Sequence, residues 1–187
     1  MVAINQKAPD FNLKAFQENV IKRIKLSDLK GKWVILFFYP ADFSFICPKE
    51  LAELANKYDE LKKMGVEVLS ISTDKEFSHK AWHDSSSVVK KIRYPMLSDP
   101  TGGVCRAYET YVYEEGLSVR ATFIIDPDGI IKVFEMQDND IGRNIEELMR
   151  KLKAAKFVRE HPGELASVNW FHGEESLKPN TDLIGKI

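Results

Sequence analysis

Apolar positions along the chain fall into short runs separated by polar punctuation. Val20 to Leu26 alternates apolar and basic residues, the period-two pattern of a half-buried strand. Trp33 to Tyr39 is continuously apolar, as a strand buried on both faces must be. It ends at Pro40, and the polar-aromatic loop Ala41-Asp42-Phe43-Ser44-Phe45 follows. From Pro48 the period changes: Leu51, Leu54, Ala55, Tyr58 and Leu61 recur at three- and four-residue steps, one face of a helix that Gly65 stops. Val66 to Thr73 predicts another strand, Lys75 to Lys91 a second helix and Tyr94 to Leu97 a brief strand. Asp99-Pro100-Thr101-Gly102 opens a further helical turn. Ala121 to Ile125 and Ile130 to Glu135 are two strands around the turn Asp126-Pro127-Asp128-Gly129. Ile141 to Phe157 is an amphipathic helix with Lys and Arg gathered near its end, where the helix dipole favours cations. Strands alternating with helices, and then a hairpin, predict an α/β sheet covered by helices on both faces.

Beyond this helix the composition shifts. His161 to Ile187 contains Pro162, Gly163, Gly173, Pro179 and Gly185, which predicts an extended arm (161–187) attached to one domain (1–160). A chain of 187 residues buries roughly 70% of its unfolded surface, so its core needs no disulfide. The net charge of −1 offers no basic field for nucleic acid or an anionic membrane. The longest apolar run, Val34 to Tyr39, is too short to span a bilayer, and Met1 to Phe16 lacks the zones of a signal peptide. A cytoplasmic protein is expected.

Only Cys47 and Cys105 are present, with no CxxC pair, so a disulfide framework and the usual structural zinc sites are excluded. An isolated cysteine is ordinarily a small buried hydrophobe. Cys47 differs by its context, because a buried strand has just ended and a helix begins. Pro48 suits the first helical position, where its missing N–H is no loss. The sulfur therefore falls at a helix N-terminus, where unpaired amides and the macrodipole favour an anion. Thiols so placed titrate below the ~8.5 of free cysteine, and the thiolate is the nucleophile. Ser44, three residues earlier, can set a hydroxyl beside the sulfur, and Arg120 can bring a permanent cation to the same end of the sheet.

The segment Tyr39-Pro40-Ala41-Asp42-Phe43-Ser44-Phe45-Ile46-Cys47-Pro48 resembles the active-site signature of peroxiredoxins. The likeness extends through Ser72-Thr73-Asp74, His79-Lys80-Ala81-Trp82-His83, Arg120-Ala121-Thr122-Phe123, Asp126 to Ile130 and Leu183 to Ile187. It is narrowest to the peroxidase subunits of bacterial alkyl hydroperoxide reductases, in the typical 2-Cys group. The resemblance implies a thioredoxin-like fold with a central mixed sheet flanked by helices. It implies reduction of hydrogen peroxide and organic hydroperoxides through a sulfenic acid, without metal or cofactor. It implies Cys47 as the peroxidatic cysteine, Pro40 as its shield from water and Ser44, where the family has Thr, as a hydroxyl that bonds sulfur and peroxide. It further implies Arg120 as stabiliser of the thiolate and Glu50 as the acid that orients an arginine. A homodimer, assembled into a ring of ten with the arm packed on a partner, follows from the resemblance alone. So does a holdase or peroxide-sensing alternative.

One departure matters. The family's resolving cysteine sits in a His-Pro-Gly-Glu-Val-Cys-Pro setting; here the arm reads His161-Pro162-Gly163-Glu164-Leu165-Ala166-Ser167. With Ala166 at that position the usual intersubunit disulfide cannot form. Recycling then falls to an external thiol: a small thiol, a thioredoxin-like or glutaredoxin-like protein, or a flavoprotein reductase. Cys105 is the one internal candidate, and the sequence leaves it open between packed thiol and substitute partner. Open too are metal binding by His79 and His83, four residues apart, and an apolar collar of Phe43, Phe45 and Trp82 for organic peroxides. A cysteine hydrolase would need one of those histidines as base.

Overall fold

The computed structural model describes residues 2–186. The chain divides into two compact units, Met1–Arg143 and Asn144–Ile187. The first contains β1 (Asn12–Gln17), β2 (Val20–Lys25), β3 (Trp33–Phe38), α1 (Cys47–Asn56), α2 (Tyr58–Lys63), β4 (Val66–Ser72), α3 (Glu76–Ser85), β5 (Met96–Ser98), α4 (Gly103–Ala107), β6 (Tyr111–Val112), β7 (Leu117–Ser118), β8 (Arg120–Ile125) and β9 (Ile131–Gln137). Seven strands form one sheet in the order β2-β1-β5-β4-β3-β8-β9. β3 runs parallel to β4, and β4 to β5, while the remaining neighbours are antiparallel. This is the mixed sheet flanked by helices that the sequence predicts.

β3 lies inside the sheet, between β4 and β8, as every one of its residues is apolar and buried. Val34, Leu36 and Phe38 join one face of the core with Leu69, Ile71, Tyr108, Ala121, Phe123 and Cys105. The antiparallel register Phe38↔Ala121 places the start of β8 beside the end of β3. That juxtaposition sets Arg120 next to the loop that leads into α1. The turn after β8 forms as its residues require: Asp126 Oδ1 accepts the amides of Asp128 and Ile130, and Gly129 takes φ +80°.

Several boundaries differ from the pattern. β2 is an exposed edge strand with only Ile24 half-buried, because its basic residues solvate what would otherwise be an open ladder. β1, unanticipated, buries only Ala15 and Phe16 fully. The helix from Pro48 breaks at Lys57 into α1 and α2, although the apolar stripe continues through buried Tyr58 and Leu61. The expected helix from Lys75 to Lys91 stops at Ser85, where Ser86 is extended and its hydroxyl accepts the amide of Val89. Serines compete in this way with helix continuation.

The second unit begins with α5 (Ile145–Glu160), capped by Asn144, whose side chain accepts the Glu147 amide at 3.0 Å. It starts after the expected Ile141, which is exposed. The following segment is irregular, as its prolines and glycines predict, yet Trp170 is buried. Its ring lies 4.7 Å from that of Phe157 and its carbonyl accepts from Arg150. Among the described residues no helix is long and apolar enough to cross a membrane.

Candidate active site

Cys47 is the first residue of α1, with Pro48 inside the first turn. Its side chain is fully buried. Arg120, at the first position of β8, donates from Nη1 to Cys47 Sγ at 3.2 Å and to Glu50 Oε2 at 2.9 Å. Its Nε donates to the Asn139 carbonyl at 2.9 Å. The guanidinium is thus fixed on three acceptors, one of them the sulfur. A buried permanent cation at this distance stabilises negative charge on the sulfur, and on any oxygen bound against it, far more than it would in water.

Glu50 is one turn beyond Cys47 and is also buried. A second arginine, Arg143, surrounds it: the Arg143 amide donates to Oε1 at 2.7 Å, Nε to Oε1 at 3.1 Å and Nη2 to Oε2 at 2.8 Å. Burial alone would push the Glu50 carboxyl up, but the Arg143 bonds and charge, with Arg120 behind them, hold it below the usual carboxylate range. Arg143 is itself anchored through Nη1 to the Phe38 and Ala121 carbonyls at 2.9 and 3.0 Å and to Thr122 Oγ1 at 3.2 Å, with its guanidinium stacked on Phe37. The chain from β3 and β8 through Arg143 and Glu50 to Arg120 fixes the cation that touches the sulfur. With Cys47 as thiolate, the two arginines and two anions sum to zero charge.

The structure brings together Cys47, Arg120 and Glu50. Pro40, buried, stands at the head of the loop into α1. Ser44 belongs to the same loop, and its hydroxyl donates to the Ala41 carbonyl at 2.8 Å. The sequence reading missed Arg143, which lies in a polar loop with no periodicity; the buried acid Glu50 needing a cation was the available signal. Of the aromatics, Trp82 is core, whereas Phe43 and Phe45 are exposed, Phe45 at 93%. His79 is buried against Asp42, and the His83 ring packs edge-on to Phe16. Among the described residues no group of three His, Cys, Asp or Glu side chains is placed to hold a metal ion.

Cys105 lies in α4 with no exposed surface. Its amide donates to Asp99 Oδ2 at 2.8 Å. Burial, and then the Asp99 carboxylate, pushes its thiol up to about 12. It is a packed core thiol.

Comparison with known proteins gives the family. Residues 4–134 match the AhpC/TSA family. The chain is 47% identical over 187 residues to alkyl hydroperoxide reductase C of Salmonella typhimurium and of Escherichia coli K12, covering 100% of both partners in each case. The crystal structure of Enterococcus faecalis AhpC superposes with a TM-score of 0.84 at 46% identity, covering 86% of this chain and 96% of that one. The reduced 2-Cys peroxiredoxin of Plasmodium vivax gives 0.91 at 30% identity, covering 96% and 94%. A strand-to-helix cysteine held by a buried arginine, in a chain alike from end to end to these reductases, belongs to the AhpC/TSA family of peroxiredoxins.

Proposed function

We propose that Cys47 is the peroxidatic residue of this enzyme and that it is recycled by an external thiol. The chain is a thiol-dependent peroxidase, an oxidoreductase that acts on peroxides and draws electrons from a thiol reductant. The Cys47 thiolate attacks the terminal oxygen of ROOH. The S–O bond forms as the O–O bond breaks, the sulfur is oxidised to sulfenic acid, and the departing alkoxide takes a proton to leave as ROH. Negative charge moves from sulfur to the leaving oxygen during this step, and the Arg120 guanidinium is already aimed at that region. Ser44 supplies a hydroxyl from the loop and Pro40 limits water. Glu50 and Arg143 act through Arg120 by holding it in place. One reductant thiol then attacks the sulfenic sulfur, releasing water and leaving a mixed disulfide; a second attacks the reductant sulfur of that bond, releasing Cys47 as thiolate while the two reductant thiols leave joined as a disulfide.

The observation that carries the recycling claim is the pair of missing partners. Ala166 occupies the resolving position, and Cys105 is buried and protonated well beyond neutral pH. The reductant is therefore a small thiol, a thioredoxin-like or glutaredoxin-like protein, or a thiol-presenting flavoprotein reductase, met in the cytoplasm. The assembly is a homodimer closing into a ring of ten, with the arm 161–187 packed on a neighbour. Exposed apolar side chains at Phe43, Phe45 and Phe77 support a surface that is covered in the assembly. Nothing favours a chaperone role. The test is peroxide consumption with a small-molecule thiol as sole donor: wild type turns over, and Cys47→Ser has none beyond the uncatalysed rate. Turnover by Cys47→Ser overturns the assignment, and sedimentation of only monomer overturns the assembly.

A further inference from the structure

Peroxide chemistry occupies Cys47, Arg120, Glu50 and Arg143 and leaves a second buried polar cluster without a role, at the start of the loop that ends in Cys47. His79, on α3, has no exposed surface. Its Nδ1 lies 2.9 Å from Asp42 Oδ2 and 3.1 Å from Asp42 Oδ1, and its Nε2 lies 3.2 Å from the Leu97 carbonyl oxygen of β5. Tyr39 donates its hydroxyl to Asp42 Oδ1 at 2.8 Å, a shorter contact than its 3.3 Å to Nδ1. The Asp42 amide donates to Asp74 Oδ2 at 2.8 Å, which also accepts from Ser72.

Both ring nitrogens therefore face acceptors. A carbonyl oxygen can only accept, so Nε2 carries hydrogen. At Nδ1 a bare lone pair would meet carboxylate lone pairs at 2.9 Å, and the Tyr39 hydrogen is already given to Asp42. A buried contact of that kind is unfavourable, so a hydrogen lies between Nδ1 and Asp42 as well. The titratable groups around the ring are Asp42 from the loop, Asp74 from the turn after β4, and Tyr39, whose phenol burial keeps neutral. Asp74 is itself raised by burial and then by Asp42, with the His79 charge acting in the opposite sense. The loop also needs holding, because Phe43, next to Asp42, sits at φ +55°, a left-handed conformation that is strained for a bulky residue.

We propose that His79 is a positioning residue whose two ring nitrogens tie Asp42 to β5 and hold the loop from Tyr39 to Ile46 closed over Cys47. It touches neither sulfur nor peroxide and acts through the loop. The functional consequence rests on Cys47 being peroxidatic, so the test reads labelling of Cys47 rather than turnover, and failure of one leaves the other standing. The full-length reduced protein is treated with a bulky maleimide, and labelling of Cys47 is followed by peptide mass spectrometry. His79→Gln keeps a donor for the Leu97 carbonyl but leaves Asp42 with only the Tyr39 hydroxyl, whereas His79→Asn keeps a donor for Asp42. His79→Gln is expected to label about tenfold faster than wild type, the population change that goes with losing one charge-assisted hydrogen bond, and His79→Asn to restore most of the protection. Unchanged labelling in His79→Gln, or equal acceleration in both variants, overturns the proposal. Nitrogen NMR of the wild-type ring decides the case if the variants do not fold. A hydrogen bond at each ring nitrogen is expected, and a nitrogen without one overturns it.

Discussion

Replacing Glu50 by glutamine changes no volume and removes one charge from the centre of the arginine network. Four donated bonds converge on this carboxylate: Arg120 Nη1 at 2.9 Å, Arg143 Nη2 at 2.8 Å, Arg143 Nε at 3.1 Å and the Arg143 amide at 2.7 Å. A glutamine side chain offers one oxygen, and its NH2 must face donors. Two buried guanidinium groups then lose their shared counter-charge. Breaking a buried ion pair by removing one partner costs about 3–5 kcal/mol. For a chain of this size that corresponds to a melting temperature lowered by roughly 6–20 °C. The pH dependence supplies an internal control. Glu50 is held below its usual 4.5 in the folded protein, so its contribution is complete above that value and is lost as pH falls through the depressed folded value. The stability difference between wild type and Glu50→Gln should be flat above pH 4.5 and shrink on further acidification. Denaturant melts of the reduced proteins across this range measure it. A difference below about 1 kcal/mol at neutral pH, the scale of a surface pair, would refute the reasoning.

Arg120→Ala should slow peroxide attack on Cys47 by about 10²–10³, the usual cost of losing one fixed donor to developing negative charge, measured by stopped flow under single-turnover conditions. Arg143→Lys keeps the charge but cannot span Glu50, two carbonyls and Thr122 together, so it should destabilise by about 1–3 kcal/mol and slow attack less than Arg120→Ala does. Cys105→Ala should leave turnover with a small thiol unchanged. In wild type, iodoacetamide at mildly alkaline pH should label Cys47 and spare Cys105 until the chain is unfolded. Because the Cys105 thiol rises from 9.0 to about 12 on folding, its contribution to stability is complete below pH 9 and declines between those values, and Cys105→Ala should flatten that part of the alkaline decline.

What could be read from the sequence divides along physical lines. β3 was legible because six consecutive buried apolar residues have few alternatives, and the Cys47–Pro48 junction because a proline just inside a helix is a local signal. β1 is not, since the adjacent apolar pair Ala15-Phe16 breaks the alternation that Asn12, Leu13 and Lys14 begin, and its pairing partners β2 and β5 supply the order. The start of α5 was placed too early because exposed Ile141 extended the apolar stripe, while the Asn144-to-Glu147 cap marked the true start. Arg120 is a candidate from its place at the opening of a strand and Glu50 only through motif likeness, and their meeting depends on the antiparallel register of β3 and β8. Arg143 and the Asp42–His79 pair were missed because their partners lie 93 and 37 residues away, and no local pattern records such contacts.

The most direct measurement is the intact mass and peptide map of the reduced protein after one equivalent of hydrogen peroxide in the presence of a dimedone-type probe, beside a non-reducing gel. A sulfenic acid waiting for an external thiol gives one probe adduct per chain, on Cys47, and a band at monomer position. With excess peroxide and no thiol, the same residue should proceed to sulfinic acid. A Cys47–Cys105 disulfide, a covalent dimer, or a Cys47 left unmodified would contradict the one-cysteine mechanism.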